Sequence, residues 1–445
     1  MSRFVNLKNN EKKSMRILYI LSVLLITYKL QANNAPKQFL ISAEKVKSHS
    51  KQTIRQLWKK NKIPQIVLPV RHDVDIYEIM YWAPWIDQKT WIKCSGICFI
   101  PKSEKPVPTF MFGHGTEIRK GRDISDNDAQ QGICLGMATD GYLALYPDYY
   151  GIGKGDGNHL YQHAWSEGMA FIYMLYAVEE LKSRVNVQTN GQLFLTGYSQ
   201  GGHASFAAQK YIEELNDPRF QVTATSPMSG AYDMTGEQAK YMFEEYPKPF
   251  YLPYLLTSYQ EAYKILDTDD VFSVFKSPFD SLLKGFFGTD RSKTYSELDR
   301  IMPKVPAHVI KDDLIQQYLQ DSLFPFKVRL KENNLTHWSP KAPVQLCYCK
   351  GDREVNYMNS EVVYNNMKKQ GIHHIKLNNL SNRLDHNTCA AFAVLATKYY
   401  FDRFKKNGKN PKLKDVPPFK KFLAGIIKKK IEKQYDKDKR DKAYM

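Results

Sequence analysis

The stretch that most restricts the fold is GQLFLTGYSQGGHASF, residues 191–206. Leu193-Phe194-Leu195 is a short apolar run suited to a buried strand, and the Ala-rich stretch after Gly202 suits a helix. Between them, Gly197-Tyr198-Ser199-Gln200-Gly201 must reverse the chain within a few residues. A side chain at either glycine would collide with the neighbouring strand or helix. The turn lifts the Ser199 hydroxyl clear of a sheet, at a helix N-terminus that favours developing negative charge. The bland alternative is a Gly-rich connection. The strand before and the helix after weigh against it.

Such a unit needs a sheet to belong to, and the sequence supplies one. Apolar strands are expected at 106–112, 141–147, 220–226, 343–349 and 374–377, with helical patterns between several of them, including a long helix at 164–184. This alternation predicts an α/β fold, a mostly parallel central sheet flanked by helices on both faces. Ahead of it, 42–61 has the spacing of an amphipathic helix, and 65–101 reads as two or three strands. Roughly 233–340 breaks the alternation with helical, aromatic-rich sequence (Phe243, Tyr246, Phe250, Tyr251, Tyr254, Tyr259, Phe272, Phe275, Phe286 and Phe287). An insertion of that size is expected to cap the C-terminal edge of the sheet, where open α/β folds bind ligands. Its aromatics either form a core of the cap or line a groove. The expected division is 1–32 signal, 33–232 core, 233–340 helical cap, 341–407 core, and 408–445 basic tail.

The chain of 445 residues has a net charge of +18, which at first suggests nucleic acid. The charge sits at the ends. Residues 1–32 hold six Lys/Arg against one Glu, and 403–445 hold sixteen against five acidic residues, leaving about +2 for the middle. A basic groove in the body, and with it a nucleic-acid partner, is not indicated. Arg3 to Arg16 precede a ten-residue apolar run, Ile17–Ile26, and then Ala32. That order predicts an export signal, and so a secreted or periplasmic protein. A membrane anchor is the alternative, but the run is shorter than the ~20 residues needed to span. In the tail, 419–431 puts Phe422, Ile426 and Ile427 on one helical face and lysines on the other. It suits either an anionic membrane surface or packing on the body. The six cysteines are compatible with an oxidising compartment, but their pairing cannot be deduced. Cys347 and Cys349 share a strand face and read as core residues, while Cys94 and Cys98 lack the second pair a zinc site needs.

For Ser199 to act as a nucleophile it needs a base, an acid and an oxyanion site. The Gly197-x-Ser199-x-Gly201 elbow resembles that of the α/β-hydrolases, and in that family the acid follows the serine in sequence and the histidine follows the acid. His386, in the polar loop Ser381–Asn387, is the candidate base, because His373 and His374 fall at the start of a strand. Asp352, in the loop after the strand 343–349, is the first candidate for the acid, with Glu354 second. Asp385 is too close to His386 in sequence to hold the ring from behind. The oxyanion donors are expected to be the backbone N–H of Gln200 and one from Gly113-His114-Gly115-Thr116, either Thr116 or Gly115. His114, His159, His163 and His203 read first as structural.

Phe-Gly-His-Gly-Thr at 112–116, Tyr-Pro-Asp-Tyr-Tyr-Gly-Ile-Gly at 146–153, Gly-Tyr-Ser-Gln-Gly-Gly-His at 197–203 and Ser-Pro-Met-Ser-Gly-Ala-Tyr-Asp at 226–233 together resemble the α/β-hydrolase superfamily. Within it, they are most similar to secretory lipases and esterases that carry a helical lid before the acid-bearing strand. The resemblance covers roughly 105–232 and 340–400. It implies hydrolysis of small-molecule or lipid carboxylic esters through an acyl-serine, with Ser199, Asp352 and His386 as triad and without metal or cofactor. A prolyl-oligopeptidase-like serine peptidase would share the elbow but usually carries a large N-terminal β-domain. A polysaccharide acyl esterase would differ only in the leaving group. A non-catalytic binding module has no need to keep all three residues.

Overall fold

The computed structural model describes residues 35–407 apart from 66, 289, 290 and 292, together with 429, 432, 433 and 435. The expected signal segment 1–32 and most of the 408–445 tail, including all of 419–431 except Lys429, lie outside the described residues.

Nine strands form one sheet: β1 (Leu40–His49), β2 (Val74–Pro84), β3 (Trp91–Pro101), β4 (Val107–Gly113), β5 (Leu143–Pro147), β6 (Thr189–Tyr198), β7 (Val222–Met228), β8 (Val344–Cys349) and β9 (Ile375–Ser381). Their order is β1-β2-β3-β5-β4-β6-β7-β8-β9. The first three strands join antiparallel, and β5-β4-β6-β7-β8-β9 run parallel. The sheet is therefore mostly parallel, as the alternation predicts. β5 and β8 are buried along their whole length, as strands covered on both faces should be.

Two apolar layers cover the sheet. On one face pack α3 (Ala164–Lys182) and α4 (Gln200–Leu215), through Phe171, Met174, Val178, Ala204 and Ile212. On the other pack α1 (Lys51–Lys60), α2 (Ala129–Thr139) and α11 (His386–Asn407), through Ile54, Trp58, Leu135, Phe401 and Phe404.

Residues 42–49 differ from expectation: they continue strand β1, and only 51–60 are helical. β1 is an edge strand whose side chains, Glu44 and Lys45 among them, are mostly exposed. Charged residues on an edge discourage further pairing, and they erase the two-residue alternation that marks a half-buried strand. Ser50 ends the strand and starts α1, its hydroxyl accepting the Thr53 N–H at 3.1 Å. Further on, 65–101 holds two strands, β2 and β3.

Between β7 and β8 the chain forms α5 (Tyr251–Tyr263), α6 (Phe279–Phe287), α7 (Tyr295–Ile301), α8 (Asp312–Gln320) and α9 (Pro325–Glu332), with three short 3₁₀ turns. These share their own apolar core. Phe250, Tyr254, Tyr259, Phe275, Phe286 and Phe287 are buried in it. Helix α10 (Met358–Lys369) links β8 to β9. No helix among the described residues is long and apolar enough to cross a membrane.

Candidate active site

Strand β6 ends at Tyr198 and α4 begins at Gln200, so Ser199 alone makes the turn. It does so at φ 59°, ψ −121°, a region that side chains other than glycine seldom occupy, at a cost of order 1–3 kcal/mol. The strain is held by close packing: a Cβ on Gly201 would overlap the Gly113 carbonyl of β4. Ser199 N–H donates to Met228 O at 3.0 Å, tying the turn to the end of β7. The serine is 8% exposed and lines a cavity under the β7–β8 insertion.

His386 stands at the start of α11, and its Nδ1–H donates to Asp352 Oδ2 at 2.7 Å. That bond leaves Nε2 with its lone pair. The imidazole lies against Tyr198, ring centroids 4.9 Å apart, and the Tyr198 hydroxyl donates to the His386 carbonyl. The ring is thus fixed beside the residue that precedes Ser199. Burial disfavours the imidazolium, but the charge and hydrogen bond of Asp352, with lesser help from the Glu354 and Asp385 carboxylates, outweigh it and raise the His386 pKa above its ordinary 6.5.

Asp352 is itself held. Its Oδ1 accepts the N–H groups of Glu354 (3.0 Å) and Val355 (2.9 Å), so the loop backbone aims Oδ2 at the histidine. Burial raises the Glu354 pKa, and its charge acts on His386 only from a distance, as a lesser contribution than that of Asp352. Asp385 faces elsewhere, its carboxylate accepting Thr388 N–H at 2.9 Å at the start of α11.

The loops that carry Asp352 and His386 are fastened to each other in three ways. Lys350 N–H donates to Ser381 O at 2.8 Å. Gly351 touches Arg383 so closely that a Cβ would overlap its carbonyl. Cys349 and Cys389 form a disulfide. Reading Cys349 as a plain core residue was therefore incomplete: the side chain is buried and also covalently bonded. With six cysteines in the chain, spacing could not pick out that partner. Cys347, two residues earlier, is a buried free thiol. The Glu432 carboxylate accepts the Ser381 hydroxyl at 2.5 Å on the same loop, and Tyr435 packs on the core nearby.

Gly113-His114-Gly115-Thr116 passes over the elbow: a Cβ on Gly115 would lie 4.0 Å from that of Ser199. The Gly115 N–H is already given to Gln130 Oε1 at 2.8 Å. Of the two candidate donors in this loop, Thr116 is the one left for a substrate oxygen. Its hydroxyl donates to Tyr161 at 3.2 Å.

The other expected donor, Gln200, belongs to a buried network that sequence reasoning missed. Its side-chain NH₂ donates to Glu167 Oε1 at 2.9 Å and to His159 Nε2 at 2.8 Å. His159 can accept because its Nδ1–H donates to Tyr150 O, and burial holds its pKa at about 3. Glu167 Oε2 also meets His203 Nδ1 at 2.6 Å, and His203 Nε2 faces the Asn333 carbonyl at 3.1 Å. The His159 and His203 side chains thus brace the elbow. His163 caps α3, and His114 stacks on Tyr146, ring centroids 5.4 Å apart.

The cavity above Ser199 is walled mainly by the insertion, with Met234, Met242, Tyr246, Tyr251, Leu252 and Leu255 among its residues. Tyr246 and Tyr251 therefore line the site, while most of the insertion's other aromatics are core.

No family model matches the sequence, and no curated protein does. Solved structures do match. A provisionally named hydrolase of Legionella pneumophila superposes with a TM-score of 0.75 at 24% identity, over 83% of this chain and 99% of that one. The rice cell wall degrading esterase LipA of Xanthomonas oryzae gives 0.71 at 22% identity, over 82% and 97%. Candida antarctica lipase A gives 0.65 at 17% identity, over 86% and 85%. The chain has the α/β-hydrolase fold that the sequence resemblance implies.

Proposed function

We propose that this protein is a serine esterase that cleaves carboxylic esters through an acyl-serine intermediate. The observation that carries the reading is the buried 2.7 Å bond from His386 to Asp352, set beside a strained Ser199 turn at the mouth of an apolar cavity. In this mechanism His386 Nε2 takes the Ser199 proton as Oγ attacks the ester carbonyl. The oxyanion that forms is met by the backbone N–H groups of Gln200 and Thr116. The imidazolium, steadied by Asp352, then protonates the leaving alcohol. Water next attacks the acyl-serine, giving its proton to His386, and the acid departs with Ser199 restored.

A carboxylic ester fits better than a peptide. β1–β3 belong to the central sheet, so among the described residues no separate β-domain precedes it. Hydrolysis of short p-nitrophenyl esters is expected, with Ser199→Ala reducing kcat by about 10⁴-fold or more. Undiminished ester hydrolysis in Ser199→Ala, or a wild-type preference for a peptide p-nitroanilide, would overturn the reading.

The reading extends to location, outside the cytoplasm after removal of residues 1–32. A Cys349–Cys389 bond is what an oxidising compartment sustains. Protein taken from its native compartment should resist alkylation at these two thiols, and free thiols there would sink this part.

A further inference from the structure

Gln162 is a polar residue in the candidate site that the proposed mechanism does not use. It is 4% exposed and lines the same cavity as Ser199. Its backbone is left-handed, at φ 53°, a conformation that costs glutamine of order 1 kcal/mol. The cap holds it there: the Tyr259 hydroxyl of α5 donates to the Gln162 carbonyl at 3.1 Å, and Ser258 bonds the same loop at His159 O. In return, the side-chain oxygen Oε1 is buried with no hydrogen-bond partner among the described residues. Leaving such an acceptor unmade costs about 1–3 kcal/mol.

The other amide in the wall is already engaged. Gln238 donates to the Tyr246 hydroxyl at 3.2 Å, and that hydroxyl donates to Glu354 O at 2.5 Å. Met234, Met242, Leu252 and Leu255 offer no polar atom but a thioether. Gln162 is also close to the chemistry. Its neighbour Tyr161 accepts the hydroxyl of Thr116, whose N–H is the second oxyanion donor of the proposed mechanism. The other polar groups of the wall are Gln238 and the hydroxyls of Tyr161, Tyr241, Tyr246 and Tyr251, with Tyr161 next to the Gln162 amide. A strained residue whose carbonyl oxygen has no partner, in a wall shared with Ser199, fits a substrate that brings a donor to that spot.

We propose that Gln162 Oε1 accepts a hydrogen bond from a hydroxyl group a few atoms from the scissile ester, making hydroxylated esters the preferred substrate class. This rests on the esterase reading. The hydroxyl could belong to the acyl chain or to the alcohol, and the two give the same contact.

The experiment compares matched ester pairs. One pair is p-nitrophenyl butanoate and p-nitrophenyl 3-hydroxybutanoate, for the acyl side. The other is butyl butanoate and glycerol 1-butanoate, for the alcohol side. Wild type should favour the hydroxylated member of one pair by about tenfold in kcat/KM. Gln162→Leu should remove that preference. Gln162→Asn, which tolerates the left-handed backbone better but shortens the amide, should remove most of it. The ratio is read within each preparation, so loss of folded enzyme cancels. No preference in either pair, as when the carbonyl is met by water alone, overturns the proposal, and so does a preference that survives both substitutions. Hydrolysis of the plain esters that persists in Ser199→Ala would instead sink the esterase reading. Ser199-dependent hydrolysis without a hydroxyl preference sinks only the role of Gln162.

Discussion

Beneath Ser199 the cleft is made of backbone; above it, the cleft is made of side chains. Below, Gly201 meets the Gly113 carbonyl, Gly351 meets that of Arg383, and Lys350 bonds Ser381. Positions that close leave little freedom, and a substitution there shifts the main chain. Above, the cap closes over Ser199 by stacking and by single hydroxyls. Tyr254 stacks on Tyr161 at 4.7 Å and on Phe287 at 4.7 Å, and its hydroxyl donates to Glu117 O at 2.8 Å. Aromatic contacts of this kind tolerate many sequences of similar size. The floor therefore fixes Ser199 and the Asp352–His386 pair through the main chain, while the roof can change its side chains with less disturbance.

The largest effect expected from this contrast is on the floor. Asp352→Asn keeps the shape of the loop but replaces the carboxylate that orients and charges His386. A fall in kcat of about 10⁴-fold should follow on p-nitrophenyl esters. The pH profile separates this from simple misfolding. The base must be neutral, so activity is lost as pH falls through the His386 pKa. That pKa is raised by Asp352 against the pull of burial, which places the acid limb of wild type above the ordinary imidazole value. Without that carboxylate, burial is opposed only by the lesser charges of Glu354 and Asp385, so the imidazolium is less favoured; the residual activity of Asp352→Asn should therefore persist to lower pH. An acid limb that does not move would detach Asp352 from the base.

The same contrast explains what could be read from the sequence. The tight turn at Ser199 could be anticipated because it demands glycines at fixed offsets, and the meeting of Asp352 with His386 because the chain order of the resembled family restricts the partners. The parallel strands were legible as apolar runs. Residues 42–49 were misread, since a charged edge strand has no buried face to impose a period of two. The Cys349–Cys389 bond left no trace in spacing. Glu167, His159 and His203 lie on helices and loops where a polar residue carries no periodic signal until its partners are seen. Gln162 is hidden in the same way, and its left-handed backbone cannot be inferred from an ordinary loop sequence.

The smallest predicted effect tests whether the roof is a substrate wall or only the cap's own core. Met242 is 8% exposed and belongs to both: it packs in the cap cluster and lines the cavity over Ser199. The cavity is lined largely by apolar side chains of the cap, so chain length on the acyl side should be limited by what that wall allows. Met242→Ala removes several heavy atoms at one point of that wall. If the freed space joins the cavity, one further methylene of substrate is buried, worth about 0.8 kcal/mol. The ratio of kcat/KM for p-nitrophenyl octanoate over butanoate should then rise about fourfold. If Met242 serves only the cap core, the neighbouring side chains settle into the gap, thermal stability falls, and the ratio stays where it was. The comparison predicts the first result, because a roof built from side chains can lose one without disturbing the backbone that holds Ser199.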